Sequence, residues 1–256
     1  MTTNSPPEIP KFKLGLLLFL AGMLGVVALT VTALPQVLDE VDLPVPMWVA
    51  LLGSIAQTSL LIAVVIWLGV SLAPKVGLSA PAFEAFVSNQ SISQALRPQL
   101  MPGLVAGLIG GIGLFAIGGY ASPIALAGVE PQFTVPLIAR VLYGGITEEL
   151  LLRWGVMTLL VWIAWRFIQR RTGTPKAIYV WLAIILSALL FGAGHLPVVA
   201  SQVGELTIEV VLFVIGANAV FGVIFGYLFR RYGLEAAIIA HALAHVVSYL
   251  FELVAA

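Results

Sequence analysis

Residues 177–196 read AIYVWLAIILSALLFGAGHL, twenty positions without a charged side chain and with a single histidine near the end. A hydrocarbon layer about 30 Å thick is crossed by roughly 20 apolar residues in helical form, because a helix satisfies its own backbone hydrogen bonds where no water can. This stretch is therefore expected to span a membrane, and the rest of the chain repeats its pattern. Apolar runs bounded by charge, proline or glycine fall at 14–34, 47–73, 101–120, 135–165, 177–196, 208–229 and 234–254. The expected fold class is all-α: a polytopic integral membrane bundle of about seven helices forming a single domain over 1–256.

Composition agrees. Hydrophobic residues make up 61% of the 256 positions and charged residues 9%, with a mean hydropathy of +1.08, so water is not the main solvent of this chain. Lys+Arg and Asp+Glu both total 12, which leaves no basic surplus to follow a phosphate backbone; nucleic acid is not an expected partner, whereas the lipid bilayer is. The absence of cysteine removes disulfides, thiolate metal sites and thiol nucleophiles. Any chemistry must come from oxygen and nitrogen groups.

The run at 135–165 is too long for one perpendicular crossing, so it must tilt, protrude or be split near Gly144 and Gly145. The stretch between Pro74 and Gln99 carries Lys75, Glu84 and Arg97, which suits a helix at the interface or a connecting loop. Lys and Arg gather in alternate connections: Lys11 and Lys13, then Lys75 and Arg97, then Arg166, Arg170, Arg171 and Lys176, then Arg230 and Arg231. The other connections carry Asp39, Glu40, Asp42, Glu130, Glu205 and Glu209. Seven spans with a cytoplasmic N-terminus satisfy the positive-inside rule at every connection. Arg140, near the outer end of the fourth span, is expected to snorkel to the surface. The first run exceeds the ~7 to 15 apolar residues of a signal peptide, so it is read as a retained span.

Glu148, Glu149 and Arg153 lie inside the fourth run, at about 2.5–3.5 kcal/mol per unpartnered charge on insertion scales. Glu149 and Arg153 stand at i and i+4 on one helical face, in the favourable order for an ion pair. Glu148 is rotated by roughly 100° and is left for other work. The chain has three histidines, His195, His241 and His245, and each falls in an apolar run; His241 and His245 share a helix face. A buried structural ion cluster is the plain alternative. Zinc is another, since imidazoles and carboxylates are its ligands. However, His241-Ala-Leu-Ala-His245 lacks the glutamate of H-E-x-x-H enzymes, so no cofactor is expected. No G-x-S-G string is present and no aspartate lies in a span, which leaves serine and aspartyl peptidase mechanisms without residues.

Taken in order, Glu148-Glu149-x-x-x-Arg153, Phe191-x-x-x-His195 and His241-x-x-x-His245 resemble the three motifs of the CAAX protease and bacteriocin-processing family, also called CPBP or Abi. The resemblance covers about 136–251 and leaves 1–100 as variable N-terminal helices. It implies a glutamate-dependent intramembrane endopeptidase acting on a peptide or membrane-protein substrate, prenylated or of bacteriocin type, in a prokaryotic plasma membrane. It also implies roles: Glu148 activates the attacking water with help from His195, Phe191 belongs to the second motif, Glu149 and Arg153 orient the site, and His241 with His245 binds the oxyanion. The family commonly has asparagine where this chain has His245. Measured along straight helices, His241 lies much nearer the cytoplasmic end of its helix than Glu148 and His195 do of theirs, so the fourth and fifth helices are expected to project beyond the bilayer. The alternatives from other classes are a non-catalytic immunity or scaffold protein and a proton-coupled transporter.

Overall fold

The computed structural model describes residues 9–39, 42–122, 133–203 and 205–255; the acidic Glu40 and Glu130 lie outside the described residues. Among the described residues there are helices and no strand. Seven helices are long and apolar enough to cross a membrane: α1 (Lys11–Thr32), α2 (Met47–Val76), α3 (Ile92–Ala121), α4 (Leu137–Ile168), α5 (Ala177–Val203), α6 (Ile208–Tyr232) and α7 (Leu234–Ala255).

Two boundaries differ from the sequence reading for identifiable reasons. The third helix begins at Ile92 rather than near residue 101, passing through Arg97, Pro98 and Pro102. Ser91 caps it by accepting from the Gln94 N–H at 3.4 Å, Arg97 points outward, and the buried Gln99 accepts from the Ala236 N–H at 3.0 Å. The stretch before it forms a single turn at Ala73–Val76 and a short helix at Pro81–Val87. That short helix is held at its start by a carboxylate, since Glu235 Oε1 accepts from the Ala82 and Phe83 N–H groups at 2.7 and 2.9 Å. α4 is continuous across Gly144 and Gly145 rather than split. It widens instead into i→i+5 winding over Arg140–Glu148 and Leu150–Met157, a form that is rare and concentrated at functional sites.

Small residues set how closely the helices approach. In lipid there is no hydrophobic force between helices, so close backbone contact and buried polar bonds hold them together. Gly103, Gly107 and Gly111 of α3 lie against the Ala236, Ala240 and Ala244 carbonyls of α7. A Cβ on Gly107 would stand 2.9 Å from the Ala240 oxygen and 2.7 Å from Leu243 Cβ. The residue numbers rise together, so α3 and α7 run parallel. Likewise a Cβ on Gly192 of α5 would stand 2.5 Å from the Ile215 carbonyl of α6, whereas Gly194 faces open space. α1 meets α4 where Thr147 Oγ1 donates to the Gly22 carbonyl at 2.7 Å.

The helices are staggered. Glu148 lies roughly 30 Å of helix from the Ile168 end of α4, but His241 only about 10 Å from the start of α7, yet the two side chains meet. α4 and α5 therefore overshoot α7 at the end that carries the cationic connections. This resolves the unequal depths in the sequence. α5 is interrupted at His195, where Pro197 lacks the N–H that would continue the helix.

A β-branched side chain at position 107 would push α3 off α7. Gly107→Val is expected to lower stability by about 1–3 kcal/mol, the usual scale of overpacking. Gly110→Ala, whose Cβ meets Ala244 Cβ at an ordinary 3.5 Å, is expected to be close to neutral. Thermal unfolding of the two purified variants in detergent checks the difference.

Candidate active site

Arg153 is fully buried in α4, so its guanidinium must find partners within the bundle. Nη1 lies 3.0 Å from Glu149 Oε1, the i, i+4 pair read from sequence. This is a charge contact rather than an aligned hydrogen bond, and Nη2 donates instead to the Gly222 carbonyl of α6 at 3.0 Å. The guanidinium also lies over two rings, 4.9 Å from the Phe191 centroid and 5.5 Å from that of Phe225. One cation thus ties α4 to α5 and α6.

Glu149, also fully buried, connects this cluster to α7. Its Oε1 lies 2.9 Å from His241 Nδ1. A carboxylate beside an arginine can only accept here, so the Nδ1–H of His241 donates and a neutral ring keeps a bare Nε2. That Nε2 faces Glu148 Oε2 at 3.9 Å. The His241 ring is held by a near-parallel stack on Phe225 at 4.6 Å and an edge contact to Phe191 at 5.7 Å.

His195 is positioned by the break in α5. Its Nδ1 lies 2.9 Å from the Phe191 carbonyl, which can only accept, so the proton is on Nδ1 and the lone pair on Nε2. Phe191 packs edge-on against both His195, at 4.8 Å, and His241. His245 stacks on His241 at 4.9 Å with 28° between planes. Rings so nearly parallel send their in-plane lone pairs side by side rather than toward one point, unlike a pair of zinc ligands. Both histidines approach the bare backbone of α4 at Gly144, where a Cβ would stand 2.6 Å from His245 Nε2 and 3.5 Å from His241 Nε2.

All seven residues singled out in sequence, Glu148, Glu149, Arg153, Phe191, His195, His241 and His245, therefore gather around one centre. The two carboxylates differ. Glu149 is spent on Arg153 and His241, whereas the Glu148 side chain retains 17% exposure and has only the 3.9 Å contact to His241 as an ion-pair approach. Arg140 does not reach Glu148, and it does not snorkel alone. Its Nη1 pairs with Glu252 Oε2 at 2.9 Å and its Nε donates to the Val135 carbonyl at 2.8 Å. Glu252 also accepts from Ser248 Oγ at 3.0 Å. The i, i+4 rule looks along one helix, and this pair crosses from α4 to α7.

The sequence reading named Gly144 only as a possible break and passed over Phe225 and Tyr143. No local pattern marks Phe225 as a stacking partner. Tyr143, whose phenol lies within electrostatic reach of Glu148, stands five residues before it, and i→i+5 winding puts residues at that spacing close together.

No curated protein and no solved structure matches this chain. The family model described as type II CAAX prenyl endopeptidase Rce1-like matches residues 130–247, an interval that contains all three motifs and every residue of the centre. The family is one of proteases. The segment that builds this site thus belongs to the CAAX protease and bacteriocin-processing family, as the order of its motifs suggested.

Proposed function

We propose that the chain is an intramembrane endopeptidase that hydrolyses a peptide bond with a glutamate-activated water and no resident metal. The observation that carries this reading is the division of labour between adjacent carboxylates. Glu149 is wholly engaged in holding Arg153 and His241, and Glu148 is left partly open beside two imidazoles with free Nε2 atoms.

In this mechanism Glu148 takes a proton from water as the water oxygen bonds to the scissile carbonyl carbon. The His195 Nε2 lone pair accepts the water's second hydrogen bond and orients it. The carbonyl oxygen becomes an oxyanion, and the C–N bond then breaks as Glu148 passes its proton to the leaving amine. The developing oxyanion is met by an N–H of His245, which stands where the family commonly has the amide of asparagine. The substrate class carried by the family is a prenylated or bacteriocin-type peptide, delivered within the membrane.

Removing a general base costs typically 10²- to 10⁴-fold in rate. Glu148→Gln is expected to lose activity on that scale while folding normally, because Glu148 balances no buried cation alone. A comparison of membrane proteomes from cells with wild type and with Glu148→Gln reads this out. Fragments present only with wild type support the peptidase, and identical fragment sets remove it. Glu149→Gln is expected to fail differently, since it leaves Arg153 uncompensated in the bundle at a cost of about 3–5 kcal/mol. Its thermal unfolding temperature should drop along with activity. His245→Asn is expected to keep most of the activity and His245→Ala to lose it, measured on whichever peptide the proteome comparison identifies.

A further inference from the structure

Cations and cavity lie at opposite ends of this bundle. Apart from Arg140 and Arg153, each held in an ion pair, every described lysine and arginine stands at the end where α1, α3, α5 and α7 begin and α2, α4 and α6 finish. Asp39, Asp42, Glu205 and Glu209 stand at the other end. In a membrane, the cationic end faces the cytoplasm.

Toward that cationic end the site is shut. Beside and below Glu149 and His241, the bundle is filled by Arg153 and Trp154 at 0% exposure and by Phe225 and Phe229 at 1%. The Trp154 and Phe229 rings are in contact at 6.3 Å. The acidic end is not filled in this way. A cleft of about 330 Å³ is lined by Thr30 of α1, Leu34 just beyond it, Thr58 of α2, Tyr143 of α4, and Pro197 and Ser201 of α5, the helical residues all from the halves away from the cations. It comes nearest the centre at Tyr143, five residues before Glu148 in the wide winding of α4, and at Pro197, two residues after His195. Its walls are mostly apolar with a few hydroxyls, the make-up of a site that takes extended apolar peptide.

We propose that the substrate reaches Glu148 from the extracytoplasmic side, through this cleft. The reading of the cleft's occupant rests on the proposed peptidase; the direction of access does not. It selects between the two substrate types above: an exported or outward-facing apolar peptide fits, and a prenylated tail presented from the cytoplasm meets the packed floor of Arg153, Trp154, Phe225 and Phe229.

The chain has no cysteine, so single thiols report access without background. Ser201→Cys and Ser54→Cys mark the cleft from α5 and α2, and Thr174→Cys marks the exposed connection between α4 and α5. Each is expressed in the plasma membrane of a bacterial host and treated with a membrane-impermeant maleimide, in spheroplasts and in sealed inverted vesicles. Both cleft positions are expected to label in spheroplasts at least tenfold faster than in inverted vesicles, and Thr174→Cys to show the reverse. Labelling of either cleft position from the cytoplasmic face, or of neither from outside, overturns the proposal. The readout requires no proteolysis, so the access route and the peptidase fail separately. Outside labelling of the cleft with no fragment dependent on Glu148 keeps the route and removes the enzyme.

Discussion

The guanidinium of Arg153 sets the terms for this bundle. An arginine at zero exposure among apolar helices is tolerated only if its charge and its N–H groups are met inside the protein. Here Glu149 and the rings of Phe191 and Phe225 meet the charge, and the Gly222 carbonyl accepts from Nη2. These partners come from α4, α5 and α6, and Glu149 brings in α7 through His241. The same contacts assign the protons. With Nδ1 of His241 donating to Glu149 and Nδ1 of His195 donating to a backbone carbonyl, both rings keep Nε2 for the reacting groups. Glu148 is left without a structural duty of comparable weight. A buried ion pair is weak evidence for stability, and this one makes better sense as the frame that holds His241 in a fixed tautomer.

The frame needs the helices in the right register. Lipid does not drive helices together, so the glycine and alanine seams between α3 and α7 and between α5 and α6 do much of this. Stagger follows from where those seams sit. Gly192 meets Ile215 and Gly222 meets Ala188, which carries His195 toward a centre close to the start of α7 and far from the start of α5. The wide winding of α4 contributes as well, because it alters which residues share a face around Glu148 and brings Tyr143 into its surroundings.

The seven spans were legible in the sequence because a membrane segment is written as length and apolarity, and both survive into the structure. The Glu149–Arg153 pair was legible because i and i+4 are neighbours on any helix. Contacts between helices were not. The Arg140–Glu252 pair joins residues 112 apart, and the stack of Phe225 on His241 has no local signal. The start of α3 was misplaced because Arg97 and two prolines look like an end, although a capped first turn and an outward-facing arginine carry the helix through. The Gly103-x-x-x-Gly107-x-x-x-Gly111 seam is a different case. Its spacing was there to be read, and it predicts a close parallel neighbour without saying which helix that is.

Hydrolysis in a membrane faces two opposed demands. The carboxylate that acts as base and the donors that meet the oxyanion work best where the dielectric is low, yet each turnover consumes a water. Fully buried aromatic and arginine side chains on one side of Glu148 exclude solvent, and a cleft bearing the hydroxyls of Thr30, Thr58, Tyr143 and Ser201 lies on the other. Such an arrangement meets both demands by direction rather than by compromise. In the proposed reading water and substrate share one approach, and the cation that holds the site together stays on the dry side, where its field is least screened. The break at His195 belongs to this division, because it ends the straight part of α5 where the wall of the cleft begins and so puts the imidazole on the boundary between the two.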